Sequence, residues 1–269
     1  MYTYVAKTEH RREFVREILI RLGVAEQVQK ARRILVKPNI VSHELYPTTT
    51  HTEVLSACLE FLIQWHKEIV VADGPAIDAG NSKDILDQHP LKKVCDGFAV
   101  PLIDLMSEET TTLVTQSGME LEVTKIVFDY DFIVSLPVLK SHGICFFTGA
   151  LKNQFGFFSR EERVRLHLDK DIFRAIAEVN AVIKPSLFIV DAIETLIKTN
   201  ERRHGGIPIK LGYMLGGTDP LSLDAFGLQL LGQLDLKLSG KSFQDIPYLD
   251  YAAKLAIGDP QAQPLQIQV

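Results

Sequence analysis

Cysteine is scarce in this sequence. The 269 residues contain three, Cys58, Cys95 and Cys145, and none belongs to a C-x-x-C pair. An odd and scattered set argues against a disulfide framework and fits a reducing compartment. Three thiolates also fall short of the four that usually hold an iron–sulfur cluster. We therefore expect no iron–sulfur cluster within this chain, and the sequence names no other cofactor.

Excess positive charge and long apolar runs are missing as well. The formal net charge is −5 and the pI is near 5.9, whereas nucleic-acid binding needs concentrated positive charge. No apolar run approaches the roughly 20 residues that span a bilayer. The N-terminus shows no apolar segment typical of a signal peptide. These features predict a cytoplasmic protein that binds neither nucleic acid nor a membrane.

Several catalytic motifs are also absent. The sequence contains no G-x-x-x-x-G-K-[ST], no G-x-G-x-x-G, no G-x-S-x-G and no H-E-x-x-H. A nucleotide loop, a serine nucleophile and a zinc-protease helix therefore lack support. A bound metal would need ligands that are distant in sequence, and the candidates are His142, His51 and His167.

Apolar runs of strand length alternate with helical periodicity along the chain. Residues 34–36, 69–72, 132–136 and 187–190 are predicted strands, and residues 211–215 are the last one. Thr52 and Asp219 are predicted helix caps. This alternation predicts an α/β fold with a mainly parallel or mixed sheet flanked by helices. We expect a single domain over residues 1–269, built either as one unit or as two lobes with a cleft between them.

Charged residues follow three of the predicted strands: Lys37, Asp73 and Asp191. Ligands of open α/β sheets bind just outside the carboxyl ends of the strands. These ends therefore predict a binding site, although a charged strand end is also common without any function.

Two segments carry further candidates. Lys140 and His142 lie two residues apart in a predicted loop after Pro137, where the lysine charge would keep the histidine neutral and suited to act as a base or a ligand. Lys152 and Asn153 lie between two glycines, as a backbone that approaches an anion requires. The alternatives are a surface loop with an incidental histidine and a helix start with exposed polar residues.

Two other features leave their roles open. Arg160, Arg163 and Arg165 form either a solvated helix face or a clamp for a carboxylate. Asp224 lies on an apolar helix stripe and needs a partner, so it either caps a neighbouring element or orients a site lysine or histidine.

These segments together resemble the "domain of unknown function 362" family. The shared motifs are Lys37-Pro38-Asn39, Thr49-Thr50-His51, Ala72-Asp73-Gly74, residues 136–142 (LPVLKSH), residues 148–156 (TGALKNQFG), residues 190–193 (VDAI) and residues 219–225 (DPLSLDA). The family name implies no established reaction. Many members look like iron–sulfur proteins with a ferredoxin-type cysteine module, which this chain lacks. The family is also distantly similar in architecture to the lactate-racemase group, although a fold does not fix a function.

The leading hypothesis is an enzyme that acts on a small anionic metabolite, with or without a metal. In this hypothesis the catalytic residues are His142, Lys140 and Lys152, and His142 moves a proton. The residues that bind the substrate are Lys37, Asn39, Asn153, Asp73 and Asp191. The alternative is a non-catalytic accessory protein that serves a ferredoxin-type redox partner on a separate chain. An enzyme requires the lysines to converge and at least one pKa to be strongly shifted.

Overall fold

The computed structural model describes residues 2–269, which form twelve β-strands and ten α-helices. The strands are β1 (Thr3–Lys7), β2 (Arg33–Lys37), β3 (Glu68–Asp73), β4 (Leu102–Asp104), β5 (Thr110–Val114), β6 (Glu120–Thr124), β7 (Phe132–Ser135), β8 (Lys140–His142), β9 (Phe146–Thr148), β10 (Leu187–Ile197), β11 (Ile207–Gly217) and β12 (Leu265–Gln266). The helices are α1 (Arg11–Arg21), α2 (Val24–Lys30), α3 (Thr52–Leu62), α4 (Ser82–Gln88), α5 (Pro90–Gly97), α6 (Ala150–Asn153), α7 (Arg160–Leu168), α8 (Ile172–Val182), α9 (Pro220–Gly232) and α10 (Pro247–Lys254).

Eight of these strands form one mixed sheet in the order β12-β1-β11-β10-β7-β2-β3-β4. The five strands from β10 to β4 run parallel, whereas β11 pairs antiparallel with both β10 and β1. The remaining strands form two antiparallel hairpins, β5-β6 and β8-β9. The predicted α/β fold with a mainly parallel or mixed sheet is confirmed.

The sheet divides the core into two clusters, because side chains alternate between its faces along each strand. In β2, Ile34 and Val36 pack on the face that helices α1–α5 cover. Leu35 packs on the opposite face, against helices α6–α10 and the two hairpins. Both faces of the parallel strands are therefore buried, as the continuous apolar runs in the sequence indicate.

The strands at residues 34–36, 69–72 and 132–136 lie where the sequence predicts them. Two strand predictions are wrong. β10 does not end at Asp191 but continues to Ile197, because the backbone of Asp191 pairs with Pro137 and Leu139 on one side and its side chain meets Arg11. β11 is not the last strand, since Leu265–Gln266 pairs with β1.

Two local predictions also change, and a third is confirmed. Helix α3 is capped by His51 rather than Thr52, since His51 Nδ1 accepts the backbone N–H of Glu53 at 3.2 Å. Lys140 and His142 lie on the short strand β8 instead of in a loop. The cap at Asp219 is confirmed, because its carboxylate accepts the N–H of Ser222 at 2.9 Å.

Candidate functional site

A cavity of about 500 Å³ opens at the carboxyl edge of β2 and β3. It includes eight of the predicted catalytic, substrate-binding and metal-binding residues: Lys37, Asn39, Asp73, Lys140, His142, Lys152, Asn153 and His167. Its volume lies in the range of small-molecule sites in proteins. Because parallel strands end at one edge, segments more than 100 residues apart meet here.

Lys37 and Asp73 form a buried ion pair at the base of the cavity. Lys37 Nζ donates to Asp73 Oδ1 at 2.6 Å, and the two side chains are 1% and 2% exposed. Asp73 also accepts the backbone N–H groups of Ile40 and Gly74. Burial lowers the pKa of Lys37, and the Asp73 carboxylate opposes that shift. The charge of Lys37 is therefore paired with Asp73 and is not available to a ligand. This ion pair holds together the loops that follow β2 and β3.

Gly156 is required by this ion pair. A Cβ at that position would lie 2.5 Å from both Lys37 Nζ and Asp73 Oδ1. Such a distance is shorter than real Cβ contacts, so a larger residue would displace the pair. The sequence predicts that this glycine lets the backbone approach an external anion. In the structure it lets the backbone approach the Lys37–Asp73 ion pair instead.

Lys140 is buried without a carboxylate in contact. Its ammonium donates to Asn39 Oδ1 at 2.9 Å and to the backbone carbonyl of Thr48. Burial lowers the pKa of Lys140 to about 7; the Lys152 ammonium adds to this effect, and the Glu201 carboxylate opposes it. Asn39 therefore orients Lys140, whereas the sequence predicts that it orients the substrate.

Lys152 is the cavity lysine without a partner. Within residues 2–269 its ammonium makes no hydrogen bond or ion pair, and it lies 4.7 Å from the centre of the Phe155 ring. Burial lowers the pKa of Lys152, with the Arg163 guanidinium contributing in the same direction. Arg163 itself is fully engaged, since its guanidinium donates to the carbonyls of residues 74, 75, 156 and 158. Lys152 thus presents an unsatisfied charge to the cavity.

His142 contributes a neutral ring. Its Nδ1 accepts the backbone N–H groups of Ile144 at 3.1 Å and Cys145 at 3.2 Å. Burial holds the pKa of His142 well below its usual value, and the charges of Lys152 and Lys140 act in the same direction. The sequence predicts that a neighbouring lysine lowers the pKa of His142. It does not predict the burial of the ring, which lowers this pKa more.

In His167 the other ring nitrogen, Nδ1, carries a hydrogen. Its Nδ1 lies 2.7 Å from the carbonyl oxygen of Arg163, which can only accept, so Nδ1 carries a hydrogen and any lone pair of the ring lies on Nε2. His142 has no lone pair left for a metal, because its Nδ1 is occupied and its Nε2 is protonated. Across residues 2–269, no three His, Cys, Asp or Glu side chains are grouped so that they could hold a metal ion.

Helix α6 carries Lys152 and Asn153 and is held by Asp224. The Asp224 carboxylate accepts the backbone N–H groups of Ala150 and Leu151, so its role is that of a helix cap. Burial raises the pKa of Asp224 to about 7, and the two N–H donors oppose that shift. Asn153 donates to Ser135 Oγ at 2.9 Å, which joins α6 to the end of β7.

Two predicted site residues lie outside the cavity. Asp191 accepts hydrogen bonds from Arg11 and from the Tyr46 hydroxyl, each at 2.7 Å. His51 packs edge-on against Tyr46, with 5.2 Å between the ring centres. The carboxylate of Asp191 is already satisfied by these two donors, and its binding role stays a prediction. His51 is likewise not brought together with His142 and His167, as a shared metal would require.

The family model described as Domain of unknown function (DUF362) matches residues 34–229. The chain belongs to this family. The match begins in β2 and ends in α9, so it includes every cavity residue named above.

Two proteins that are similar to this DUF362 chain are informative, one in sequence and one in fold. The thylakoid-associated protein sll1697 of Synechocystis sp. is 26% identical over 220 residues, which are 79% of this chain and 67% of that protein. The lactate racemase apoprotein from Thermoanaerobacterium thermosaccharolyticum superposes with a TM-score of 0.60 at 11% identity. That superposition covers 86% of this chain but 57% of the racemase, so it shows the fold alone.

The cytoplasmic location of this DUF362 chain stays a prediction. None of the helices in residues 2–269 has the length and apolar character needed to cross a membrane. The relative from Synechocystis is named for its association with thylakoids. The absence of nucleic-acid binding likewise stays a prediction.

The cysteines of the DUF362 chain are not placed to share a cluster. Cys58 and Cys95 are buried in the core on one face of the sheet, and Cys145 is buried on the other. The thiolates that bind an iron–sulfur cluster must converge at one site. The three cysteines of this chain do not converge, so they do not fit such a cluster.

Sequence reasoning misses one wall of the cavity. Residues 199–201 and His204, in the loop between β10 and β11, also line the cavity. Glu201 is 2% exposed and pairs with Arg203 at 2.7 Å. The run of polar residues between two apolar strands is the signal that could have identified this loop.

Proposed function

We propose that the chain is an enzyme that binds a small anionic metabolite at Lys152. The observation that carries the proposal is the unpaired Lys152 ammonium in a cavity where Lys37 and Arg163 are bound to protein acceptors. A half-buried cation without a counterion is unfavourable, and an anion supplies the missing interaction. The lactate racemase name describes an enzyme of a small carboxylate, which suits an anion of this class.

Lys140 supports an enzyme over a simple binding protein. A pKa of about 7 leaves a substantial fraction of the side chain as the free amine at neutral pH. Proton transfer is most efficient when the pKa of the catalytic group lies near the working pH. Lys140 is therefore our candidate for the group that exchanges a proton with the substrate, in place of His142.

The test compares two lysine variants. Thermal unfolding is measured with a panel of small carboxylates and phosphates for the parent protein, for Lys152→Met and for Lys93→Met. Lys93 is the matched control, because it is exposed on α5 and has no ion pair among the described residues. We expect at least one anion to stabilise the parent and Lys93→Met by about 3 kcal/mol at 100 times its Kd, and to leave Lys152→Met unchanged.

One result would contradict the proposal. If every anion that stabilises the parent also stabilises Lys152→Met to the same degree, Lys152 is not an anion site and the proposal fails.

The domain organisation is part of the proposal. We propose a single domain over residues 1–269, because β1 and β12 lie outside the family match and still join the eight-stranded sheet.

The accessory role beside a ferredoxin-type partner stays a prediction. It calls for a patch of exposed apolar side chains next to the lysines. Of the large exposed apolar residues in the described part of the chain, Ile144 alone lines the cavity. No specific observation favours this second function.

A further inference from the structure

The β8–β9 turn fixes the position of the proton on His142. The backbone N–H groups of Ile144 and Cys145 both point at Nδ1, at 3.1 and 3.2 Å. Backbone N–H groups can only donate, so Nδ1 must offer its lone pair to them. In the neutral ring the hydrogen therefore lies on Nε2, and the backbone alone decides this assignment.

The same contacts prevent His142 from gaining a second proton. An imidazolium would direct a third N–H group at the two backbone donors, and the turn would have to open. Within residues 2–269, Nε2 has no hydrogen-bond partner, and the residue lines the cavity. His142 thus offers a ligand one interaction, a hydrogen bond from a neutral N–H group.

The cavity therefore provides a cation and a neutral donor for one ligand. The cation, Lys152, takes an anionic group, and the donor, His142, takes an uncharged acceptor. A second anionic group on the ligand would call for another unpaired cation, but Lys37, Lys140 and Arg163 are bound to protein acceptors. A carbonyl oxygen fits the donor best, because it accepts without bringing a hydrogen that needs its own partner.

We propose that the ligand is an oxo acid whose carboxylate binds Lys152 and whose carbonyl oxygen accepts a hydrogen bond from His142 Nε2. This inference rests on the proposed function, since it names the class of anion that occupies the same cavity. His142 is then a catalytic residue that polarises the carbonyl group and does not act as a base.

The arrangement suits proton exchange at the carbon next to the carbonyl. Lys140 in its amine form takes the proton, and the electrons of the broken C–H bond form the C=C bond of an enolate. The electron pair of the C=O bond moves to oxygen, where the His142 N–H group stabilises the negative charge. Return of the proton from Lys140 to carbon restores the carbonyl compound, so the step needs no further reactant.

The experiment uses two probes of equal length, 2-oxobutanoate and butanoate, which differ in the carbonyl group. Calorimetry measures the binding of both to the full chain and to the variants His142→Asn and Lys152→Met. Asparagine keeps an oxygen near the position of Nδ1, so the turn retains its acceptor while the Nε2 donor is lost. Proton NMR in D₂O follows the loss of the C3 protons of 2-oxobutanoate.

We expect the parent protein to prefer 2-oxobutanoate about 3- to 10-fold, as one neutral hydrogen bond gives. His142→Asn should bind both probes with the affinity that butanoate has for the parent, and should slow the exchange of the C3 protons. Lys152→Met should lose affinity for both probes. The ¹⁵N shifts of the His142 ring should show a protonated Nε2 in the parent protein.

Two failures remain distinguishable. Equal binding of the two probes by the parent, with both lost in Lys152→Met, overturns the oxo-acid inference and leaves the anion site intact. Equal binding of both probes by the parent and Lys152→Met contradicts the proposed function itself. A ring spectrum with the hydrogen on Nδ1 of His142 overturns the inference independently of any ligand.

Discussion

Asn39 Oδ1 accepts a hydrogen bond from the Lys140 ammonium at 2.9 Å. Lys37, the neighbouring buried lysine, has a carboxylate in the corresponding role, at 2.6 Å. Dipoles compensate a buried charge less completely than an opposite charge does. With an amide in place of a carboxylate, the effect of burial on Lys140 is opposed less, and its pKa is lowered to about 7.

The first prediction exchanges that amide for a carboxylate. Asn39→Asp should raise the pKa of Lys140 above its value of about 7, because a negative charge would contact the ammonium. Acetylation of Lys140, followed by mass spectrometry across a pH series, reports the pKa. Asn81→Asp is the control, since it adds the same charge at the remote cap of α4. An unchanged acetylation profile in Asn39→Asp would show that contact with Asn39 does not set the pKa.

The second prediction concerns stability and pH. The pKa of Lys140 is about 7 in the folded state and near 10.5 when unfolded. Between these values the unfolded chain binds more protons, so the contribution of Lys140 to the free energy of unfolding rises with pH. Below pH 7 both states are protonated and the contribution is constant.

Lys140→Met removes this contribution. Urea unfolding from pH 7.5 to 9.5 should give a smaller slope for the variant, by up to about 1.4 kcal/mol per pH unit. The comparison isolates Lys140, because the lowered pKa values of Lys37 and Lys152 affect both proteins. Parallel curves for the two proteins would contradict a lowered pKa of Lys140.

The third prediction tests the close approach at Gly156. Gly156→Ala should destabilise the fold by about 1–3 kcal/mol, as overpacking does, since its Cβ would meet the Lys37–Asp73 pair. Gly97→Ala is the matched control, because a Cβ there meets nothing within 4 Å. In chemical denaturation we expect Gly97→Ala to equal or exceed the parent in stability. Equal stability of both variants would mean that the pair can move aside.

The fourth prediction separates buried from exposed ion pairs. Asp73→Leu leaves Lys37 buried without its counterion, and should lower the free energy of unfolding by about 3–5 kcal/mol. The double variant Lys37→Met/Asp73→Leu should recover much of that loss, since no charge stays unpaired. Asp87→Ala, which breaks the exposed pair with Lys83, should change stability by less than about 1 kcal/mol. A double variant no more stable than Asp73→Leu would argue against this account.

Local periodicity predicts much of the fold. The apolar runs around β2, β3 and β7 are strands that are buried on both faces, and such runs are visible without any partner. The wrong prediction of where β10 ends shows the limit of reasoning from local periodicity. Asp191 resembles a strand end because a carboxylate is unfavourable inside a sheet, but Arg11, from a helix 180 positions earlier, compensates it.

For the candidate site, the sequence by itself determined that Lys37 would end a strand, because Pro38 cannot donate to the ladder. It also singled out Lys140 and Lys152, from the proline and the glycines beside them. Only the tertiary structure decided what each lysine does. Lys37 pairs with Asp73, Lys140 binds Asn39, and Lys152 has no partner in the described chain. The reason is physical: periodicity is a property of neighbouring residues, whereas a hydrogen bond depends on sub-ångström distances between segments that are far apart in sequence.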